Sequence, residues 1–86
     1  MEIKLTPPAE RDLNHWKKTN NQQVLKRIRE LLESILASPF IGIGKPEALK
    51  YQLAGKWSRR IDRENRLVYS VEDSIVFIYS MKGHYQ

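Results

Sequence analysis

The sequence predicts a single α+β domain in which two helices pack on one face of a largely antiparallel sheet. The order of periodicities carries this. A short alternating segment opens the chain, two segments of helical spacing follow, and the C-terminal part returns to period-two alternation. Size and composition agree. Eighty-six residues, 41% hydrophobic and 29% charged, make one globular domain over 1–86 and leave room for one sheet with one layer of helices.

Glu2 to Leu5 alternates and reads as the opening strand. Thr6 before Pro7 and Pro8 is an N-cap leading into a first helical turn, where proline is tolerated. Ala9, Leu13 and Trp16 recur at helical spacing, so this first helix runs to about Lys18. Thr19-Asn20-Asn21 is a break and a fresh cap, with glutamines three residues beyond Thr19 and Asn20. In the second helix Val24, Ile28, Leu31 and Ile35 form one stripe, widened by Leu25, Leu32 and Leu36. Lys26, Arg27, Arg29, Glu30 and Glu33 occupy the other side. It is expected to end near Ser38, before Pro39.

Residues 39–46 hold two prolines and two glycines and read as a loop. Glu47-Ala48-Leu49-Lys50 is expected to form one helical turn after Pro46. Three strands follow. Lys56 to Asp62 and Arg66 to Glu72 are joined through Asp62-Arg63-Glu64-Asn65, and Ser74 to Met81 follows a tight turn at Glu72-Asp73. Lys82 to Gln86 is a tail. With Val71 paired to Ser74, Leu67, Tyr69, Val71, Val76 and Ile78 share an apolar face that should meet the helices. Arg66, Val68, Ser70, Ile75, Phe77 and Tyr79 make the other, half-open face, so Arg66 points away from the core.

The chain has no cysteine, which excludes disulfides and cysteine metal sites and fits a reducing compartment. The N-terminus lacks the pattern of a secretory signal, and the longest apolar run, Ile75 to Tyr79, is too short to span a bilayer. The expected setting is the cytoplasm, without a membrane. Net charge is +5. Between Lys45 and Arg66 stand Lys45, Lys50, Lys56, Arg59, Arg60, Arg63 and Arg66 against Glu47, Asp62 and Glu64. Such a patch suits a polyanion, since each phosphate contact releases counterions; the competing reading is a solvated basic face. His15 and His84 belong to no ligand motif, and no phosphate-binding glycine loop or catalytic triad pattern is present, so no metal or other cofactor is expected.

Metal-free cleavage of RNA fits this inventory. RNA carries its own nucleophile, the 2′-hydroxyl. A protein then needs a base for that proton, positive charge for the phosphorane-like transition state and an acid for the leaving 5′-oxygen. Glu47, Arg59, Arg60, Arg66 and His84 all lie in the half that carries the patch. Each also has an ordinary reading: Glu47 as a favourable charge in a first helical turn, the arginines as exposed-face charges, His84 and Tyr85 as solvated or packing residues.

The wording of this half adds to that. Pro39-Phe40, the run Gly42 to Lys50, the run Leu53 to Ile61, Asn65 to Tyr69 and the terminal His84-Tyr85 closely resemble the YoeB (Txe) toxins of the RelE/ParE superfamily. The resemblance implies a RelE-like fold and a type II toxin that enters the ribosomal A site and cuts messenger RNA there. Its partners would be mRNA, the ribosome and a neutralising antitoxin of the YefM/Phd family, and it would be a homodimer. By the same resemblance Glu47 is the general base, Arg66 stabilises the transition state, His84 is the general acid, and Tyr85, Lys50 and Arg60 hold or orient the RNA. Gln86 lies one residue beyond the usual His-Tyr ending. Arg59 stands as a further RNA-binding candidate, because a regular hairpin at 62–65 sets Arg59 beside Arg66 and turns Arg60 inward. A bulge, or a three- or five-residue turn, exchanges the two. Two rival functions remain: a non-catalytic inhibitor of the ParE kind, which acts on DNA gyrase, and a plain ribosome- or RNA-binding module.

Overall fold

Thr6 does what its position predicts. Its hydroxyl accepts from the Ala9 amide (3.4 Å) at the start of the first helix and donates to the Ile78 carbonyl (2.9 Å). One side chain thus caps a helix and ties it to the sheet. In the computed structural model, which describes residues 1–84, the elements are β1 (Glu2–Leu5), α1 (Pro7–Lys18), α2 (Gln22–Ala37), β2 (Glu47–Ala48), β3 (Trp57–Arg60), β4 (Arg66–Glu72) and β5 (Ile75–Ser80). Asn21 is the cap that starts α2, accepting from the Val24 amide (3.1 Å), and Ser38 ends it before Pro39.

The strands form one sheet in the order β1-β5-β4-β3-β2. All neighbours are antiparallel except β1 and β5. Val24, Ile28, Leu31 and Ile35 of α2 and Ala9 and Trp16 of α1 pack on Leu67, Tyr69, Val76, Ile78 and Met81. This is the apolar face that alternation predicts. Leu36, at the flank of the α2 stripe, is 40% exposed.

Two expectations are corrected. Glu47 to Lys50 is not a helical turn. Its first two residues are the edge strand β2, with Glu47 opposite Ser58 and Ala48 opposite Trp57, and the single helical turn is displaced to Tyr51–Leu53. The reason is backbone satisfaction: the outer edge of β3 needs partners, and the segment arrives alongside it when the Arg60 amide donates to the Gly44 carbonyl (2.7 Å). The β4–β5 turn also moves. Its central residues are Asp73 and Ser74, both at positive φ (51° and 63°), and Glu72 rather than Val71 begins the pairing, opposite Ile75. Val71 now faces Val76, a slip of two along β5, so every side chain keeps its face. A bulge between Val68 and Tyr69 then leaves Tyr79 as the extra residue.

Gly44 shows how tightly the 39–46 loop is laid on the core. Its φ is +83°, and a Cβ there would stand 2.7 Å from Leu31 Cδ2 and 3.1 Å from Arg59 Cβ. Leu31 is fully buried and has little room to turn aside. Gly44→Ala is expected to cost on the order of 1–3 kcal/mol, read as a lower urea midpoint with an unchanged slope. An unchanged midpoint would mean the loop is free to lift.

Candidate active site

The connection between β3 and β4 decides which arginine faces the open side of the sheet. Asp62 organises it: its Oδ1 accepts from the amides of Glu64 (2.9 Å) and Asn65 (2.8 Å), and the Ile61 amide donates to the Asn65 carbonyl (3.0 Å). The connection therefore spans five residues, 61–65, and the pairing that emerges is Arg60 opposite Arg66 and Arg59 opposite Leu67.

Arg59 is consequently not an RNA contact. It is 0% exposed, opposite Leu67 on the helix side of the sheet. Its Nη1 donates to Ser34 Oγ (2.7 Å) and the Ile43 carbonyl (3.1 Å). Its Nη2 donates to the carbonyls of Ser38 (2.8 Å), Pro39 (3.3 Å) and Ile41 (3.0 Å). Its Nε donates to the Tyr69 hydroxyl (3.1 Å), which itself donates to the Pro39 carbonyl (2.6 Å). Burial pushes the Tyr69 phenol above its ordinary pKa, with the hydrogen bond and charge of Arg59 acting the other way, so it stays a donor. The carbonyls gathered here follow the C-terminal end of α2, where the helix dipole is negative and favours a cation. Arg59 thus nails the 39–46 loop to the core, and that loop delivers Glu47 to the sheet edge.

On the opposite face the ladder aligns the remaining candidates. Paired residues share a face, so Glu47, Ser58 and Val68 form one row and Arg60 and Arg66 the next, about 7 Å along the strands. Ser58 and Ser70 are 2% and 3% exposed and make a low floor. Lys56 lies over the Tyr79 ring (4.3 Å to the centroid), and the Tyr79 and Ser70 hydroxyls are 2.8 Å apart. Two arginines directly opposite each other repel, at a cost of a few tenths of a kcal/mol or more. An anion bound between them removes that cost. Arg66 Nη1 donates to the carbonyls of Asp62 (3.1 Å) and Asn65 (3.4 Å), which aims its guanidinium along the 61–65 connection.

The tail returns to the same place. Met81 is held by α1 through the Asp12 carboxylate on its amide and the Trp16 indole on its carbonyl, both at 2.9 Å. The Arg66 amide then donates to the Gly83 carbonyl (3.0 Å), and His84 follows, its Nε2 3.2 Å from the Arg63 carbonyl. Arg60 and Arg66 thus stand at the 61–65 end of the sheet, the tail brings His84 to that same connection, and Glu47 lies one row along on the edge strand. Lys50 is exposed, three residues beyond Glu47. Tyr85 lies outside the described residues. Asp62 and Asn65 are absent from the candidates read from sequence; an Asp-x-x-Asn turn directly before Arg66 is the signal that marks them.

This chain matches the family described as the YoeB-like toxin of bacterial type II toxin-antitoxin systems over residues 5–85. The chain belongs to that family. Toxin YoeB of Synechocystis is 51% identical over 71 residues, 83% of either chain. Among solved structures, a YoeB-YefM complex from Staphylococcus aureus has a YoeB-like chain at TM-score 0.90 and 45% identity, covering 99% of this chain and 98% of that one. The structure of a YoeB dimer from the same organism fits at TM-score 0.90 and 44% identity with the same coverage. The α+β fold is therefore the RelE-like fold of YoeB toxins. No helix among the described residues is long and apolar enough to cross a membrane.

Proposed function

We propose that this YoeB-family toxin is a ribosome-dependent endoribonuclease that cuts messenger RNA in the A site, without a metal, and so stops translation in the cytoplasm. The observation that carries the reading is the like-charged pair of exposed Arg60 and half-buried Arg66 on the face away from the helices, one row along from Glu47, with the tail returning His84 to the same end of the sheet. Each chemical task then has its own group. Glu47 takes the 2′-hydroxyl proton, and the freed oxygen attacks the adjacent phosphorus. Arg66, with Arg60 opposite it, stabilises the added negative charge. The bond to the 5′-oxygen breaks as His84 protonates it, leaving a 2′,3′-cyclic phosphate. Lys50 and Tyr85 hold the RNA, and Lys56 extends the cationic rim.

The partners follow from the same surface. An acidic antitoxin segment of the YefM kind would neutralise the arginine pair; Staphylococcus aureus YoeB forms a complex with YefM, and it also forms a dimer. Exposed Phe40, Ile41 and Ile43 add apolar surface for a protein partner. Gyrase inhibition needs neither base nor acid, and the presence of Glu47 and His84 on either side of the arginine pair in the chain argues against it. The experiment is to map mRNA ends in a translating extract with the wild type and His84→Gln. His84 is exposed, so the variant should melt normally, while cleavage falls by a factor on the order of 10²–10⁴. Intact mRNA with the wild type, or wild-type cleavage by His84→Gln, would overturn this reading.

A further inference from the structure

The tail that carries His84 has the sequence of a loose end and the backbone of a fixed one. Gly83 is held through both of its backbone groups. Its carbonyl accepts from the Arg66 amide (3.0 Å), and its amide donates to Asn65 Oδ1 (2.8 Å). The Asn65 amide group is itself set by its other end. Its Nδ2 donates to both carboxylate oxygens of Asp62, at 3.0 and 3.2 Å. The orientation is unambiguous, because a carboxylate only accepts and a backbone N–H only donates. Gly83 then turns at φ +78°, a conformation that suits glycine, and leads the chain to His84 against the Arg63 carbonyl.

We propose that Asn65, oriented by Asp62, is a positioning residue for the general acid. It acts through Gly83 to set where the His84 imidazole stands relative to Arg66. The inference rests on the reading of His84 as the acid. Its physical basis is that Asn65 and Arg66 are consecutive. The residue that binds the phosphate supplies one anchor of the tail through its backbone, and its neighbour supplies the other through its side chain. Phosphate charge and proton donor are thereby referenced to one short piece of strand. Without the Asn65 bond Gly83 keeps one backbone contact, and beyond it only the exposed contact of His84 with the Arg63 carbonyl remains to hold the ring. Misplacing a reacting group by about 1 Å costs up to about 100-fold in rate, whereas the bond from Asn65, a half-buried loop side chain, to Gly83 contributes only about 0.5–1.5 kcal/mol to folding.

The test separates positioning from structure by changing the leaving group. A 5′-bridging phosphorothiolate departs without needing a proton, so cleavage of an mRNA carrying it at the scissile position does not need the acid. For Asn65→Ala the expected result is near-normal melting, a roughly 10- to 100-fold lower single-turnover rate on ordinary ribosome-bound mRNA, and near wild-type cleavage of the sulfur-substituted mRNA. The Gly83 amide should exchange faster with solvent. Asn65→Leu, which keeps the size but removes the bonds to both Gly83 and Asp62, should show the same selective defect and serves if the alanine variant folds poorly. An equal defect on both substrates, or none on either, would overturn the proposal. His84→Gln run in parallel tests the underlying reading. If it is restored by sulfur and Asn65→Ala is not, the positioning role fails alone. If His84→Gln is not restored, the assignment of the acid fails and takes this proposal with it.

Discussion

Arg59→Met should unfold the protein at a much lower temperature than any single change on the open face. Methionine fills much of the same volume, and replacing a buried ionic group by an apolar one is often harmless when its partners go as well. Here they stay. The carbonyls of Ser38, Pro39, Ile41 and Ile43 belong to the backbone and cannot be substituted away. Each would lose a donor beneath a loop that shields it from water. The expected cost is on the order of 3–5 kcal/mol, against a total near the low end of roughly 5–15 kcal/mol for a domain this small. At about 4–8 °C per kcal/mol for such a size, the melting point should drop by some tens of degrees. Arg59→Lys keeps the charge, but an ammonium cannot span acceptors arranged around a planar fork, so it should recover only part of the loss. Calorimetry or thermal circular dichroism on the three proteins decides this. A methionine variant melting within a few degrees of the wild type would show that the 39–46 loop does not depend on its guanidinium.

Glu47→Gln should cost activity as heavily as His84→Gln. The amide preserves size and polar contacts and removes the ability to take the 2′-hydroxyl proton. Cleavage should therefore fall by a factor on the order of 10²–10⁴. Glu47 is exposed on a two-residue edge strand, so stability should change by no more than about 0.5 kcal/mol. Ribosome binding, which the proposed function assigns to Lys50, Lys56 and the arginines, should hold. Primer extension on ribosome-bound mRNA gives the rate, and pelleting with ribosomes gives the affinity. Wild-type rates in this variant would remove Glu47 from the mechanism and leave the site without its base. Loss of pelleting together with loss of cleavage would instead assign Glu47 to binding.

Much of the architecture is legible in the chain itself because it depends on neighbours close in sequence. The Thr6 cap, the break at 19–21 and the end of α2 before Pro39 are local events, decided by side chains within a turn of the groups they satisfy. The α2 stripe and the alternation of β4 and β5 are equally local, and they assign faces without any knowledge of partners. Those assignments survive even where the turn was misplaced, since Asp73-Ser74 for Glu72-Asp73 moves the register by two. Glu47 to Lys50 fails for the opposite reason. A helical turn is acceptable to those residues taken alone, and only the open edge of β3, contributed from ten residues downstream, makes a strand the better answer.

The candidate site divides the same way. Composition and wording alone determine that this is a basic α+β domain carrying a carboxylate, arginines and a terminal histidine, because residue identity needs no folding to be known. Which arginine meets solvent is a tertiary matter. It turns on whether the β3–β4 connection has four residues or five, and Asp62 settles that by gathering the amides of Glu64 and Asn65. One residue of register sends Arg59 under the 39–46 loop and Arg60 out beside Arg66, because side chains alternate strictly along a strand. The fixing of the tail is likewise invisible in the chain. Asp12, Trp16, Asn65 and Arg66 lie between 17 and 69 residues from the backbone groups they hold at 81 and 83. Contacts over such separations exist only once α1 and β4 have been brought to the end of β5 by burial of the core they share.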